Sequence, residues 1–207
     1  NNFGAEWVTC NISSWTNGSG YLLESATKPT VVLYQEHRRQ LDDLGDMARQ
    51  CERAGYTCHP APAVRLSRRG AASGGVGVLV RSDLGSHEVA WPEARLDSCL
   101  GRLLAVAAPG PRGPIVAVSA YFRVGEGFAG NKDLLDALLS FVFKLRHGSW
   151  IIGGDFNMTP EELTCTGYVH ASRGQLLVAD GGAPTTVAPL RQGRCVDFFG
   201  AGPAAAD

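Results

Sequence analysis

The apolar residues of the chain fall into short runs closed by glycine, proline or charge: "WVTCNI", "TVVLYQE", "GVGVLVR", "RLLAVAAP", "PIVAVSAYF", "SWIIGGDF" and "CVDFF". Their length and β-branched content predict strands rather than helices. Two longer stretches carry a helical period instead. From Arg39 to Gly55, the residues Leu41, Leu44, Met47, Cys51 and Ala54 recur every third or fourth position, and Gly55 is placed to stop the helix. From Asn131 to His147 the pattern "NKDLLDALLSFVFKLRH" predicts a second helix, with Asn131 as its N-cap and Gly148 just past its end. A third helix starts behind Asn157, where Thr159 as N-cap, Pro160 at the first position and Glu162 three residues after the cap form a capping box.

Strands first alternate with a helix, then follow one another, then alternate again. That order fits two mixed sheets packed face to face with helices outside better than a doubly wound parallel sheet. No repeat or linker divides the chain, so 1–207 is expected to form one domain, a usual size for a single core. The stretch "GGAPTTVAPLRQGR" is expected to be a surface loop.

Composition narrows the class only a little. Hydrophobic content of 44% with 19% charged residues is globular, so the 26 glycines mark turns rather than disorder. A net charge of −1 provides no global field for an anionic polymer. The basic residues are mostly Arg, however, and Arg65, Arg68 and Arg69 in "VRLSRRG" are candidates for contact with a nucleic-acid backbone. The six cysteines include no C-x-x-C pair, which disfavours zinc. With no apolar run near 18 residues and no signal peptide, the expectation is an intracellular protein, nuclear or cytoplasmic, without a membrane span. Asn-x-Ser/Thr triplets at Asn11, Asn17 and Asn157 are common by chance and are discounted.

The candidate chemistry lies at the strand ends. Asn11 ends the first run, Gln35 and Glu36 the second and Tyr121 a later one; Asp155 and Asn157 close "WIIGGDFN", and Asp197 lies within "RCVDFF". Each alone has an ordinary reading as a turn former or cap. Together they offer what a hard cation such as Mg²⁺ takes, one or two carboxylates with waters and phosphate oxygens completing the shell. Asn157 and Asn11 add amides, and Tyr121 a hydroxyl, that can grip phosphate without adding negative charge. Residues two apart on a strand share a side, so Asp155 and Asn157 should face the site while Phe156 anchors behind.

On these residues the chain resembles the endonuclease/exonuclease/phosphatase superfamily, which includes abasic-site endonucleases and the endonuclease domains of non-LTR retrotransposons. The likeness runs in order through Asn11 in "VTCNISSW", Gln35 and Glu36 in "VVLYQEHR", Tyr121 in "AVSAYF", "GGDFN" at 153–157 and Asp197 in "CVDFF". It implies a four-layer α/β/β/α sandwich with the site at one mouth between the sheets. It also implies Mg²⁺, or Mn²⁺, held by Glu36 with Asn11 beside it, and Asp155 as the residue that orients and deprotonates the attacking water. Asn157 and Tyr121 would hold the phosphate or leaving group, and Asp197 would orient a histidine. The expected partner is nucleic acid, DNA in particular, and the expected activity is that of a retroelement-type endonuclease working by metal-assisted in-line attack of water on phosphorus.

In the superfamily that histidine comes from a Ser-Asp-His motif some twenty or more residues after the Asp197 position. The sequence ends at Asp207, and the five histidines, His37, His59, His87, His147 and His170, all precede Asp197. The expectation is therefore a chain truncated at its C-terminal end, lacking a final strand and the histidine segment, working as a monomer or as part of a larger polypeptide. Two alternatives stand beside the nuclease: a phosphatase or phospholipase acting on a small or lipid phosphoester, and an inactive remnant that binds nucleic acid or a partner.

Overall fold

Two mixed sheets form from the predicted runs. The computed structural model describes residues 6–65, 72–91, 99–110, 112–145, 148–178, 186–188, 191–194 and 196–202. In chain order the elements begin with β1 (Trp7–Asn11), α1 (Trp15–Leu23), β2 (Val31–Gln35), a 3-10 turn (Leu41–Asp43), α2 (Leu44–Arg53), β3 (Tyr56–Ala61), β4 (Val76–Arg81) and β5 (His87–Glu88). They continue through β6 (Leu103–Gly110), β7 (Gly113–Tyr121), α3 (Gly127–Leu145), β8 (Ser149–Asp155), α4 (Pro160–Cys165) and α5 (Tyr168–Ser172). The last are β9 (Gln175–Leu177), β10 (Thr186–Ala188), β11 (Arg191–Arg194) and β12 (Asp197–Ala201).

One sheet has the order β1-β2-β4-β3 and the other β5-β6-β7-β8-β12-β9. Both are mixed: β1 with β2 and β7 with β8 run parallel, and the remaining neighbours run antiparallel. A parallel neighbour requires a crossover, and α1 and α3 supply the two.

Alternation within the buried strands separates three apolar layers. Val31, Leu33, Val78 and Val80 of the smaller sheet meet Val106, Ala108 and Ala117 of the larger one between the sheets. Val32, Tyr34 and Leu79 point the other way, onto Trp15 and Leu22 of α1 and Met47 and Cys51 of α2. On the far side Leu134, Leu138 and Phe141 of α3 cover Val118, Ala120 and Ile152. Helix, sheet, sheet and helix thus make the four layers that the resemblance implies.

The structure departs from the sequence expectations in several places. Asn131 is not an N-cap. Helix α3 begins a turn earlier at Gly127, and Asn131 is fully buried within it. Its carboxamide accepts from Arg123 N at 2.7 Å and donates to Arg123 O at 3.1 Å and Gly127 O at 2.9 Å, which ties down the loop after β7. Of the stretch from Arg39 to Gly55, the α-helical part is Leu44–Arg53, and Gly55 ends it at φ +88, as expected of a C-terminal glycine. Helix α1 was not expected at all. The segment 181–194, expected to be loop, contains the antiparallel pair β10–β11. The Thr159–Glu162 capping box at the start of α4 is present in both directions. His147 lies outside the described residues. Among the described residues, no helix is long and apolar enough to cross a membrane.

Candidate active site

Register brings the strand-end residues to one edge of the sandwich. Asn11 pairs with Gln35 across β1 and β2, Tyr121 with Asp155 across β7 and β8, and Asp197 with Asp155 across β12 and β8. Two glycines let the sheets close on each other just behind this row. A Cβ on Gly153 would lie 2.5 Å from Leu33 Cδ1 of the opposite sheet, and one on Gly154 would lie 2.2 Å from Ala120 O on the neighbouring strand. A side chain at Gly154 would push the backbone of the neighbouring strand away, and one at Gly153 would displace the packed Leu33 and Phe199 side chains.

The two sheets are joined at the mouth by one amide. Asn11 Nδ2 donates to Glu36 Oε2 at 3.0 Å and to Asp155 Oδ2 at 2.8 Å, so two carboxylates from different sheets converge on one side chain. Asn11 is itself fixed, because its Oδ1 accepts from Ser13 N at 2.8 Å. Glu36 sits just past the end of β2 in the left-handed region, φ 63, a conformation costly for a residue with a side chain. The buried imidazole of His37 holds that turn: Nδ1 accepts from Arg39 N at 3.0 Å, leaving Nε2 to donate to Ala61 O at 2.9 Å. Burial pushes His37 down to about 4, so it is a neutral structural group rather than an acid or base of the site.

Beyond β8 the chain turns sharply. Asp155 Oδ1 accepts from Asn157 N at 3.0 Å, Asn157 takes φ 49, and its Nδ2 donates to Phe122 O at 2.8 Å. Between them Phe156 is buried, stacked on Phe198 with ring centroids 4.4 Å apart and edge-on to Phe122 at 5.2 Å. The predicted anchor is therefore present. Asn157 is placed by a turn rather than by continuation of the strand.

Electrostatics set Asp155 apart from an ordinary surface carboxylate. Burial, opposed by the Asn11 hydrogen bond and reinforced by the charges of Asp197 and Glu36, pushes Asp155 up to about 6. Burial and the neighbouring Glu36 and Asp155 push Tyr121 up to about 12, so its hydroxyl is a donor at neutral pH. Two arginines that the sequence reading did not single out frame the site. Arg38 pairs with Glu36 Oε1. Arg102 places its guanidinium 5.2 Å from the centroid of the Tyr121 ring. Arg38 had a signal in sequence, since it follows Glu36 by two residues, whereas nothing at Arg102 pointed to Tyr121.

Glu36 and Asp155 offer carboxylate oxygens, the donors a hard divalent cation prefers, while Asn11 turns its Nδ2 to both acids and its Oδ1 to Ser13 N and so positions the acids rather than adding an oxygen ligand. Among the described residues, no group of three or more His, Cys, Asp or Glu side chains forms a closed cation cage. The donor set therefore suits an ion that keeps waters and substrate oxygens in its shell better than a structural metal.

Asn11, Glu36, Tyr121, Asp155, Asn157 and Asp197 are all brought to this mouth. Arg65 is exposed, next to Val64, which bridges to Ser73 in the loop that opens at the same end. Arg68 and Arg69 lie outside the described residues.

The sequence model of the Endonuclease/Exonuclease/phosphatase family matches residues 8–198. None of the curated protein sequences matches the chain. Solved structures share its fold at low identity. A 3'-5' exonuclease (NExo) from Neisseria meningitidis is 20% identical with a TM-score of 0.67, over 95% of this chain and 87% of that one. The AP endonuclease LMAP from Leishmania major is 15% identical with a TM-score of 0.69, over 96% and 79%. The endonuclease domain of TRAS1, a telomere-specific non-LTR retrotransposon, is 16% identical with a TM-score of 0.65, over 95% and 85%.

Proposed function

The chain belongs to the endonuclease/exonuclease/phosphatase family, and from that premise we propose that it is a Mg²⁺-dependent phosphodiesterase of nucleic acid, of the retroelement endonuclease type. The observation that carries this reading is the double hydrogen bond from Asn11 to Glu36 and Asp155, which draws acids of both sheets onto one point. Glu36 would hold the ion, with Asn11 beside it fixing the carboxylate, and the ion when bound supplies Lewis-acid polarisation of a phosphoryl oxygen.

The remaining groups have roles their surroundings support. Asp155, ionised above about pH 6, orients a water and accepts its proton as the water oxygen bonds to phosphorus and the phosphorus–oxygen bond opposite breaks. Tyr121, protonated and braced by Arg102, donates to the leaving oxygen. Asn157 spends one amide hydrogen on Phe122 O and keeps the other for a phosphate oxygen. Asp197, beside Asp155 in register, adds the negative charge that keeps Asp155 basic. Arg38 and Arg65 offer cations to the flanking phosphates, which favours a polymer over a small phosphoester.

Nicking of supercoiled plasmid DNA in Mg²⁺, compared with chelator, tests the reading. Nicking by the wild type and its loss in both Glu36→Ala and Asp155→Ala is expected. A wild type that releases phosphate from monoesters or cleaves lipid phosphoesters but leaves plasmid intact would replace it with a phosphatase or phospholipase.

A further inference from the structure

The two half-sites belong to different sheets, and something must set their separation. Glu36 and Asn11 ride on the four-stranded sheet; Tyr121, Asp155 and Asp197 ride on the six-stranded one. Sheets packed through valine, leucine and alanine can slide by small amounts at little cost, because apolar contact is not directional. Directly beneath the mouth, however, the apolar layer is interrupted by polar residues. Gln35 is fully buried, and its Nε2 donates to Ser119 Oγ at 3.1 Å and to Thr9 Oγ1 at 3.3 Å. Ser119, also fully buried, passes its own hydrogen to Tyr34 O at 3.1 Å. The side chain of β7 is thus clasped by the backbone and the side chain of β2.

The position of this clasp matters more than its strength. Gln35 adjoins Glu36 in the chain; Thr9 precedes Asn11 and Ser119 precedes Tyr121 by two residues, each on the same strand face as its successor. Every arm of the clasp is therefore one step from a residue of the mouth. An amide in an otherwise apolar layer is costly unless paired, and Gln35 Oε1 finds no hydrogen-bond partner, so an apolar residue of equal volume would suit packing at least as well.

Resting on the nuclease reading above, we propose that Gln35 is a positioning residue: through Ser119 it fixes the distance between the Glu36 half-site and the Asp155–Tyr121 half-site. It touches neither substrate nor ion. Small misplacements of reacting groups are expensive, on the order of 100-fold for about 1 Å, so loosening the clasp is expected to lower kcat by about 10- to 100-fold and leave KM nearly unchanged.

The test uses Gln35→Met, which keeps volume and removes the donor, Ser119→Ala, and the double variant. Each single change should lower kcat in plasmid nicking, with the loss in the double well short of the sum of the singles, since both break the Gln35–Ser119 contact. Additive losses, or losses that follow only the fall in Tm, would overturn the proposal. Hydrogen exchange provides an arm that needs no substrate. The amides of Tyr121 and Phe122, which donate to Arg102 O and Asp155 O, should lose protection in the variants, while the middle of β7 keeps it. Unchanged protection at these amides would refute the clasp whatever the activity. A wild type that fails to nick would instead refute the nuclease reading and leave the exchange arm to decide.

Discussion

On the proposed function Asp155 is placed where its charge serves the reaction, and burial there makes that charge costly to the fold. Its pKa rises from 3.8 to about 6, first through burial and then through the charges of Asp197 and Glu36. A carboxyl that holds its proton more tightly folded than unfolded favours the fold at low pH and penalises it as pH climbs. The penalty starts near the unfolded value and is complete above the folded one. The shift corresponds to about 3 kcal/mol in total, of which about 2 kcal/mol falls between pH 4 and pH 7.5. Asp155→Asn removes the titration.

Urea unfolding of wild type and Asp155→Asn in chelator, at pH 4 and pH 7.5, isolates this quantity. Titrating groups away from the site are shared and cancel in the difference of differences, as does any fixed offset from the altered Asn11 contact, and what remains is Asp155 together with its coupling to Glu36 and Asp197. The wild type should lose about 2 kcal/mol more than the variant over that interval. Addition of Mg²⁺ at pH 7.5 should then stabilise the wild type by mass action and the variant far less. Parallel pH profiles for the two proteins would refute the account of Asp155 as a buried, charge-crowded acid. Activity should move opposite to stability, with Asp155→Asn more robust without metal at pH 7.5 and unable to nick.

Other substitutions test other contacts. Asn131→Ala strands Arg123 N, now paired at 2.7 Å, and should cost about 1–3 kcal/mol in urea with an unchanged m-value. Tyr121→Phe removes one donor and should lower kcat by about 100-fold with KM nearly unchanged, and an equal loss in kcat/KM from KM alone would contradict its role. Gly77→Ala places a Cβ 2.1 Å from Tyr34 Oη and should cost about 1–3 kcal/mol by thermal melting, whereas a neutral result would show that Tyr34 can move aside.

How much of this was written in the sequence depends on the element. The buried strands declared themselves because both faces are apolar, so β2, β4, β7 and β8 read as runs that no helix period fits. Strand β3 did not, since "YTCHPA" holds a proline and a histidine; as the outer strand beside β4 it can carry Pro60, which a central strand could not. Helix α1 was hidden by glycine. "WTNGSGYLL" has poor helix propensity, yet a Cβ at Gly18 would stand 2.4 Å from Ile12 Cβ. Tertiary closeness asks for the residue that local propensity argues against. Asn131 misled in the opposite way, because an asparagine one turn inside a helix looks like a cap until its loop partners are known.

The site shows the same division. Tyr121, Asp155 and Asp197 stand out in the sequence as polar residues at strand ends, and the family resemblance implies a common mouth, but the β7-β8-β12 order that aligns them is not in the strand pattern. Nor is the bond that makes them a site, because Asn11 and Asp155 are separated by 144 positions and no local pattern encodes a contact between sheets. The Asp155–Asn157 pair makes the point sharply. Strand alternation predicts that their side chains share a side, but Asn157 at φ 49 has left the strand, and its place comes from bonds to Asp155 Oδ1 and Phe122 O. Glu36 at φ 63 is held likewise, by a turn that His37 fixes from the opposite side. Glu36 occupies a conformation its side chain resists and Asn157 one that asparagine tolerates better than most residues, and the surrounding hydrogen bonds hold both there. If those left-handed turns aim the site, Asn157→Gly should remain folded and lose activity because it loses the amide, while Glu36→Gly should gain local stability and lose metal affinity.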